Sequence, residues 1–322
     1  MKLLRQVRRF LAVLSKPVSD APFRRQTEAW REAWAIVRAY YLIHLLFAAQ
    51  ALSWIDRVRG SAPLLLWPVG WMSLVGIETS AIAVHIFAIA AALFAALWPH
   101  VRVLRALSWL GFFEMLALRS SFGYVSHGWH AWLWVGLCFV FLPNRDPVEI
   151  ESRRCHRQSV LIVVWLAQAL LLLFYSLTGG WKLVGAAVQA AQGESHSFSP
   201  DALAIQIARS LLMQGSTSTF GAFFIEHQFL GWPFYLLAIY IELFAFVVAF
   251  RPAIQRFWGI CLSVFHIFIF LTFHLDFLSQ FVLVALLFFR SPFAPQHWNW
   301  RDMLRAVPLF GAIRRRRGSA MA

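Results

Sequence analysis

Charge is scarce in this sequence. Only 14% of its 322 residues are Asp, Glu, Lys or Arg, whereas 60% are hydrophobic and the mean hydropathy is +0.63. A soluble domain of this length needs a charged, solvated surface, so the deficit excludes one and points to a polytopic membrane protein. Acid is scarcer still, at 15 residues against 29 basic ones, a net charge of +14. The basic residues lie in short loops and tails between apolar runs, where they orient spans, so no nucleic-acid surface is expected. Cysteine is also sparse. Cys138 and Cys261 fall inside apolar runs and Cys155 in a basic loop, which gives no disulfide framework. No P-loop, dinucleotide fingerprint, heptad array, repeat or low-complexity tract is present.

What remains is a succession of apolar runs. Residues 1–30 read as a basic amphipathic arm on the membrane surface, and 31–293 as a transmembrane domain. Residues 294–322 read as a basic cytoplasmic tail carrying Arg314 to Arg317. The expected fold is an all-α bundle of about eight spans. These run roughly Ala33 to Trp54, Gly76 to Trp98, a third preceded by Arg102 and Arg105 and reaching Leu118, His130 to Leu142, Ser159 to Leu177, Trp232 to Phe250, Phe257 to Phe273 and Phe277 to Phe289. A short helix from Asp201 to Gln214 sits in the polar insert after the fifth. With both termini cytoplasmic and all eight crossing, 24 of the Lys and Arg residues fall inside and 5 outside, the bias the positive-inside rule requires.

Lysine is the rarest cation. Lys2 and Lys16 lie in the arm, which leaves Lys182 alone in the body of the chain, in Phe-Tyr-Ser-Leu-Thr-Gly-Gly-Trp-Lys-Leu-Val-Gly from Phe174 to Gly185. A lysine ammonium can give up its proton when desolvated, so Lys182 is a candidate base; as a helix-end cation it is equally an interfacial anchor. Other polar groups gather toward the same outer face: Ser126-His127-Gly128-Trp129-His130 before the fourth span, and His274 with Asp276 in the turn between the last two. Glu114, Glu242 and His266 lie within spans, and ionisable groups at membrane depth tend to face a bundle interior or wet cavity. His127 and His130 also suit an aromatic belt, and His266 suits a hydrogen bond to a neighbouring helix with Glu242 as its partner. No histidine spacing specifies a metal or haem site.

Taken in order, Ser-His-Gly-Trp-His-Ala-Trp-Leu-Trp, the fifth span ending Gly-Gly-Trp-Lys-Leu, the Glu242 span, and a late Phe-His followed by an apolar helix ending Arg-Ser-Pro-Phe resemble the vitamin K-dependent gamma-carboxylase-like family. That family carries the horizontally transferred transmembrane domain, and the resemblance covers roughly Arg31 to Phe293. It implies an integral protein of the bacterial inner membrane that handles a reduced quinone of the menaquinone or vitamin K type. Lys182 would act as the base and His127 as its partner, with Ser126 standing where the family has asparagine. His266, or else His274, would be the late-span histidine near the quinone. Ser126, His130, Trp181, His266, His274 and Glu242 make up the implied cofactor surround. Trp181 replaces a second lysine of the family, and the large lumenal domain that holds a protein substrate is not matched, so the C–H substrate is left open. Two other readings stand beside this one. In a lipid-binding or assembly subunit, Lys182 would pair with Glu226, Glu242 or Asp276. In a small-molecule transporter, the site would be built from Glu114, Glu242 and His266.

Overall fold

Among the described residues, every regular element is helical. The computed structural model describes residues 29–58, 62–123, 127–193, 196–295 and 297–309. The expected N-terminal arm, Ser126 and the Arg314 to Arg317 run lie outside them, apart from the arm's last two residues. Among the described residues, the α-helices of seven residues or more are α1 (Trp30–Gln50), α2 (Ile77–Leu97), α3 (Arg102–Ser120), α4 (His130–Val140), α5 (Arg154–Ala191), α6 (Ala202–Gln214), α7 (Thr219–Glu226), α8 (Gln228–Leu243), α9 (Gln255–Phe273), α10 (Leu278–Val284) and α11 (Trp300–Ala306). Among the described residues, four segments are long and apolar enough to cross a membrane: Trp30–Ser53, Ile77–Leu97, Arg154–Ala191 and Pro252–Phe273. The other four expected spans are helical but shorter or more polar. Helix α4 has 11 residues, α10 has 7 before it loosens into the π-turn Ala285–Phe289, and α3 carries Arg102, Arg105, Glu114 and Arg119.

The chain forms two compact units, and the boundary between Gln168 and Ala169 falls within α5. In the first unit α1 packs on α2, α2 on α3 and α3 on α4. Gly111 permits the α2–α3 approach, since a Cβ there would lie 2.9 Å from the Ala88 Cα. The expected charge at the start of the third span proves to be a structural clamp. Arg105 is 0% exposed; its Nη1 donates to the Pro99 carbonyl at 2.6 Å and its Nη2 to the Leu142 carbonyl at 2.6 Å. Those carbonyls lie just past the C-terminal ends of α2 and α4, where the aligned peptide dipoles favour a cation. Beside it, the buried Trp132 indole donates to His44 Nδ1 at 2.9 Å, and the Tyr40 hydroxyl donates to the Trp132 carbonyl.

In the second unit α6 packs on α7 and α8, and α7 and α8 pack on α9. Leu203, Ile207, Leu211, Phe224, Tyr235 and Ile239 form its core. The last carbonyls of α9 are satisfied from outside the helix: Ser218 Oγ donates to Leu271 O and Gln214 Nε2 to Phe273 O. Helix α5 does not stop at Leu177. It continues through the glycine pair to Ala191, 38 residues in all, or about 57 Å at 1.5 Å per residue. The sequence pattern reads Gly179-Gly180 as a terminator, but Gly179 serves packing. A Cβ at Gly179 would lie 2.6 Å from the Leu243 nitrogen, whereas one at Gly180 would meet nothing within 4 Å.

Candidate functional site

The close approach at Gly179 sets up what surrounds it. Helix α8 breaks at Phe244, and Ser176 of α5 stitches the break by donating to the Leu243 carbonyl at 2.9 Å and accepting from the Phe246 N–H at 2.8 Å. Ser176, Gly179 and Lys182 follow at intervals of three on one face of α5. With the two backbones in contact there, Lys182 Nζ reaches Glu242 Oε2 at 2.5 Å. The Glu242 side chain is 4% exposed and that of Lys182 is 23% exposed. This is a charge-assisted bond within a mostly desolvated setting.

Aromatic rings enclose the pair. Lys182 Nζ lies 5.8 Å from the centre of the Tyr235 ring and 6.0 Å from that of Phe265, within reach of cation–π attraction. Tyr235 precedes Glu242 by seven residues on α8, and Tyr175 precedes Lys182 by seven on α5; two helical turns place each tyrosine on the face of its ionisable neighbour. The Tyr175 hydroxyl lies 2.5 Å from His266 Nε2, and both residues are buried. His266 Nδ1 is buried with no hydrogen-bond partner among the described residues. A second ring, Phe277, lies 5.7 Å from the imidazole.

Lys182, Glu242 and His266 therefore belong to one unit, with Lys182 and Glu242 in direct contact. His266 does not take Glu242 as its partner; Tyr175 fills that role, because Lys182 already holds the carboxylate. Trp181 is 76% exposed. One residue along a helix turns the side chain by about 100°, so the groups that desolvate Lys182 are Tyr235, Phe265 and Glu242, not Trp181. His274 is exposed and takes a left-handed conformation, φ 52°, to end α9, and Asp276 Oδ1 accepts the Leu278 N–H as α10 begins. The turn between the last two spans thus has a local helix-ending role. Glu226 is exposed at the end of α7.

Of the remaining expected site residues, His130 and Glu114 lie in the first unit. Ser126 is outside the described residues, as is the side chain of His127, whose backbone forms the 3-10 turn His127–Trp129. His130 is half-buried at the start of α4, and Glu114 Oε2 accepts from the Trp71 indole at 3.2 Å. Tyr175 and Tyr235 were not singled out from sequence, although their seven-residue offsets from Lys182 and Glu242 were visible there. Among the described residues no three His, Cys, Asp or Glu side chains gather as a metal site requires, and all three cysteines are free.

The architecture is that of a helical protein with several segments able to span a membrane and a polar cluster buried in its second unit. Compared with protein-family models, curated proteins and solved structures, the chain matches none.

Proposed function

We propose that this is an eight-span protein of the bacterial inner membrane, with both termini cytoplasmic. We further propose that its Lys182–Glu242–His266 cluster binds a reduced quinone of the menaquinone or vitamin K type and accepts its proton, as in the carboxylase-like family it resembles. The 24-to-5 partition of basic residues supports the orientation. The observation that carries the site is the Lys182–Glu242 contact, an amine and a carboxylate 2.5 Å apart and largely shielded from water.

The residues fit a quinone headgroup. It presents polar oxygens on an apolar ring, and the cluster offers an unpartnered buried nitrogen, His266 Nδ1, on an imidazole 5.6 Å from the Phe265 ring and 5.7 Å from the Phe277 ring, while Tyr235 and Phe265 flank Lys182 Nζ. Lys182 has three N–H groups and uses one on Glu242, so it has donors left for an oxygen. Tyr175 fixes the orientation of the His266 ring through the hydrogen bond to Nε2. A quinol, when bound, supplies phenolic protons and two electrons. In the ion pair Lys182 is already protonated, so the free base is the Glu242 carboxylate: it would take the phenolic proton while the Lys182 ammonium faces the quinolate oxygen, and the net charge in the apolar interior would not change. The C–H substrate is unassigned.

The same contact favours one other reading, an assembly or lipid-binding subunit in which the ion pair only locks α5 to α8. Oxygen-dependent loss of quinol absorbance separates the two. The site reading expects turnover by the wild type that Lys182→Met and Glu242→Gln each abolish; the locking reading expects none in any form.

A further inference from the structure

Arg256 is the second residue of α9, at the end of the candidate span Pro252–Phe273, so the length of that span puts it at headgroup depth. Its surroundings are unfavourable for a cation. A helix N-terminus carries partial positive charge, Arg256 is half-buried, and its Nε is fully buried without a partner. Among the described residues it makes no hydrogen bond and no ion pair. Nearby cations are engaged: Arg251 Nη1 donates to the Ala306 carbonyl at 2.6 Å, and Arg305 faces Asp302 at 3.9 Å.

Arg256 lines a cleft of about 10 Å³ together with Ala253, Phe257, Ala294, His297 and Trp298. The volume admits one oxygen-sized atom, with the rest of any ligand remaining at the surface. Ala253, Phe257 and Ala294 give the cleft apolar sides, and His297 adds a second nitrogen base at the exposed rim. Trp298 and Trp300 are exposed, their rings tilted against each other with centres 6.0 Å apart, as in an interfacial aromatic belt. An anion tethered to apolar chains answers each feature: its charge meets the guanidinium and the helix dipole, and its hydrocarbon meets the apolar wall. We propose that this cleft takes a phosphate oxygen of an anionic glycerophospholipid.

Native mass spectrometry of the full-length protein, released from micelles containing equal phosphatidylglycerol and phosphatidylcholine, tests this assignment. The wild type should retain phosphatidylglycerol in preference by about fivefold or more, the worth of one interfacial arginine. Arg256→Gln should lose that preference, and Arg256→Lys should keep part of it. His297→Glu, at the exposed rim and harmless to the core, should weaken retention even if Arg256→Gln does not fold. Excess inorganic phosphate should not displace the lipid. Equal retention of the two lipids by the wild type, or unchanged preference in His297→Glu and Arg256→Gln, would overturn the proposal. Displacement by inorganic phosphate would replace the lipid with a free anion and overturn it equally.

Discussion

Lys182 and Glu242 are sixty residues apart in sequence, and their Nζ and Oε2 atoms are 2.5 Å apart in the fold. Each is costly to bury without the other. Lys182→Met or Glu242→Gln alone should therefore destabilise the protein by about 3–5 kcal/mol, while Lys182→Met combined with Glu242→Leu should come within about 1–2 kcal/mol of wild type. Thermal unfolding in detergent of the full double-mutant cycle checks this. Additive single costs would mean the two groups do not depend on each other.

The glycine pair should respond asymmetrically. Gly179→Ala puts a methyl 2.6 Å from the Leu243 nitrogen and should cost about 1–3 kcal/mol by forcing α5 from α8. Gly180→Ala meets open space in a helix interior and should stabilise by up to about 1 kcal/mol. Melting temperatures of the two variants should move in opposite directions.

Arg105→Met removes the donor to two buried carbonyls at helix C-terminal ends and should cost about 2–5 kcal/mol. Arg105→Lys should recover only part of this, because one ammonium cannot reproduce the planar fork of donors. Unfolding of both variants, compared with wild type, gives the order.

Tyr175→Phe leaves both nitrogens of a buried imidazole without a partner and should cost about 1–3 kcal/mol. Tyr175→Phe with His266→Phe should restore most of the loss if the pair is only structural. Failure of that rescue in quinone binding, with stability recovered, would assign His266 a ligand.

Much of this was legible in the sequence. The apolar runs located the helices, and rarity alone drew attention to Lys182. Membrane depth likewise marked Glu242 and His266. Which acid Lys182 meets was not legible, because Glu226, Glu242 and Asp276 all suit the charge; the choice is made by Gly179, whose missing side chain lets α8 approach at the level of Glu242. The same glycine misleads a local reading, since a Gly-Gly pair ordinarily marks a helix end, yet here close packing offsets a cost of about 1 kcal/mol per glycine. His266 was matched to Glu242 on charge and depth, and the structure gives it a neutral phenol. His274 and Asp276 carry the polar signature of a site, but their observed roles are a left-handed helix end and a helix start.

The central claim is that the Lys182–Glu242–His266 cluster holds a quinone headgroup. Its most direct test is equilibrium binding of a short-chain reduced menaquinone to the purified protein in nanodiscs, comparing wild type with the Lys182→Met, Glu242→Leu double variant after confirming that the latter is folded. The account predicts saturable binding by the wild type and a loss of at least about tenfold in affinity in the double variant, the equivalent of one charged hydrogen bond. Equal binding by both proteins, or none by the wild type, would contradict it and leave the ion pair as a lock between two helices.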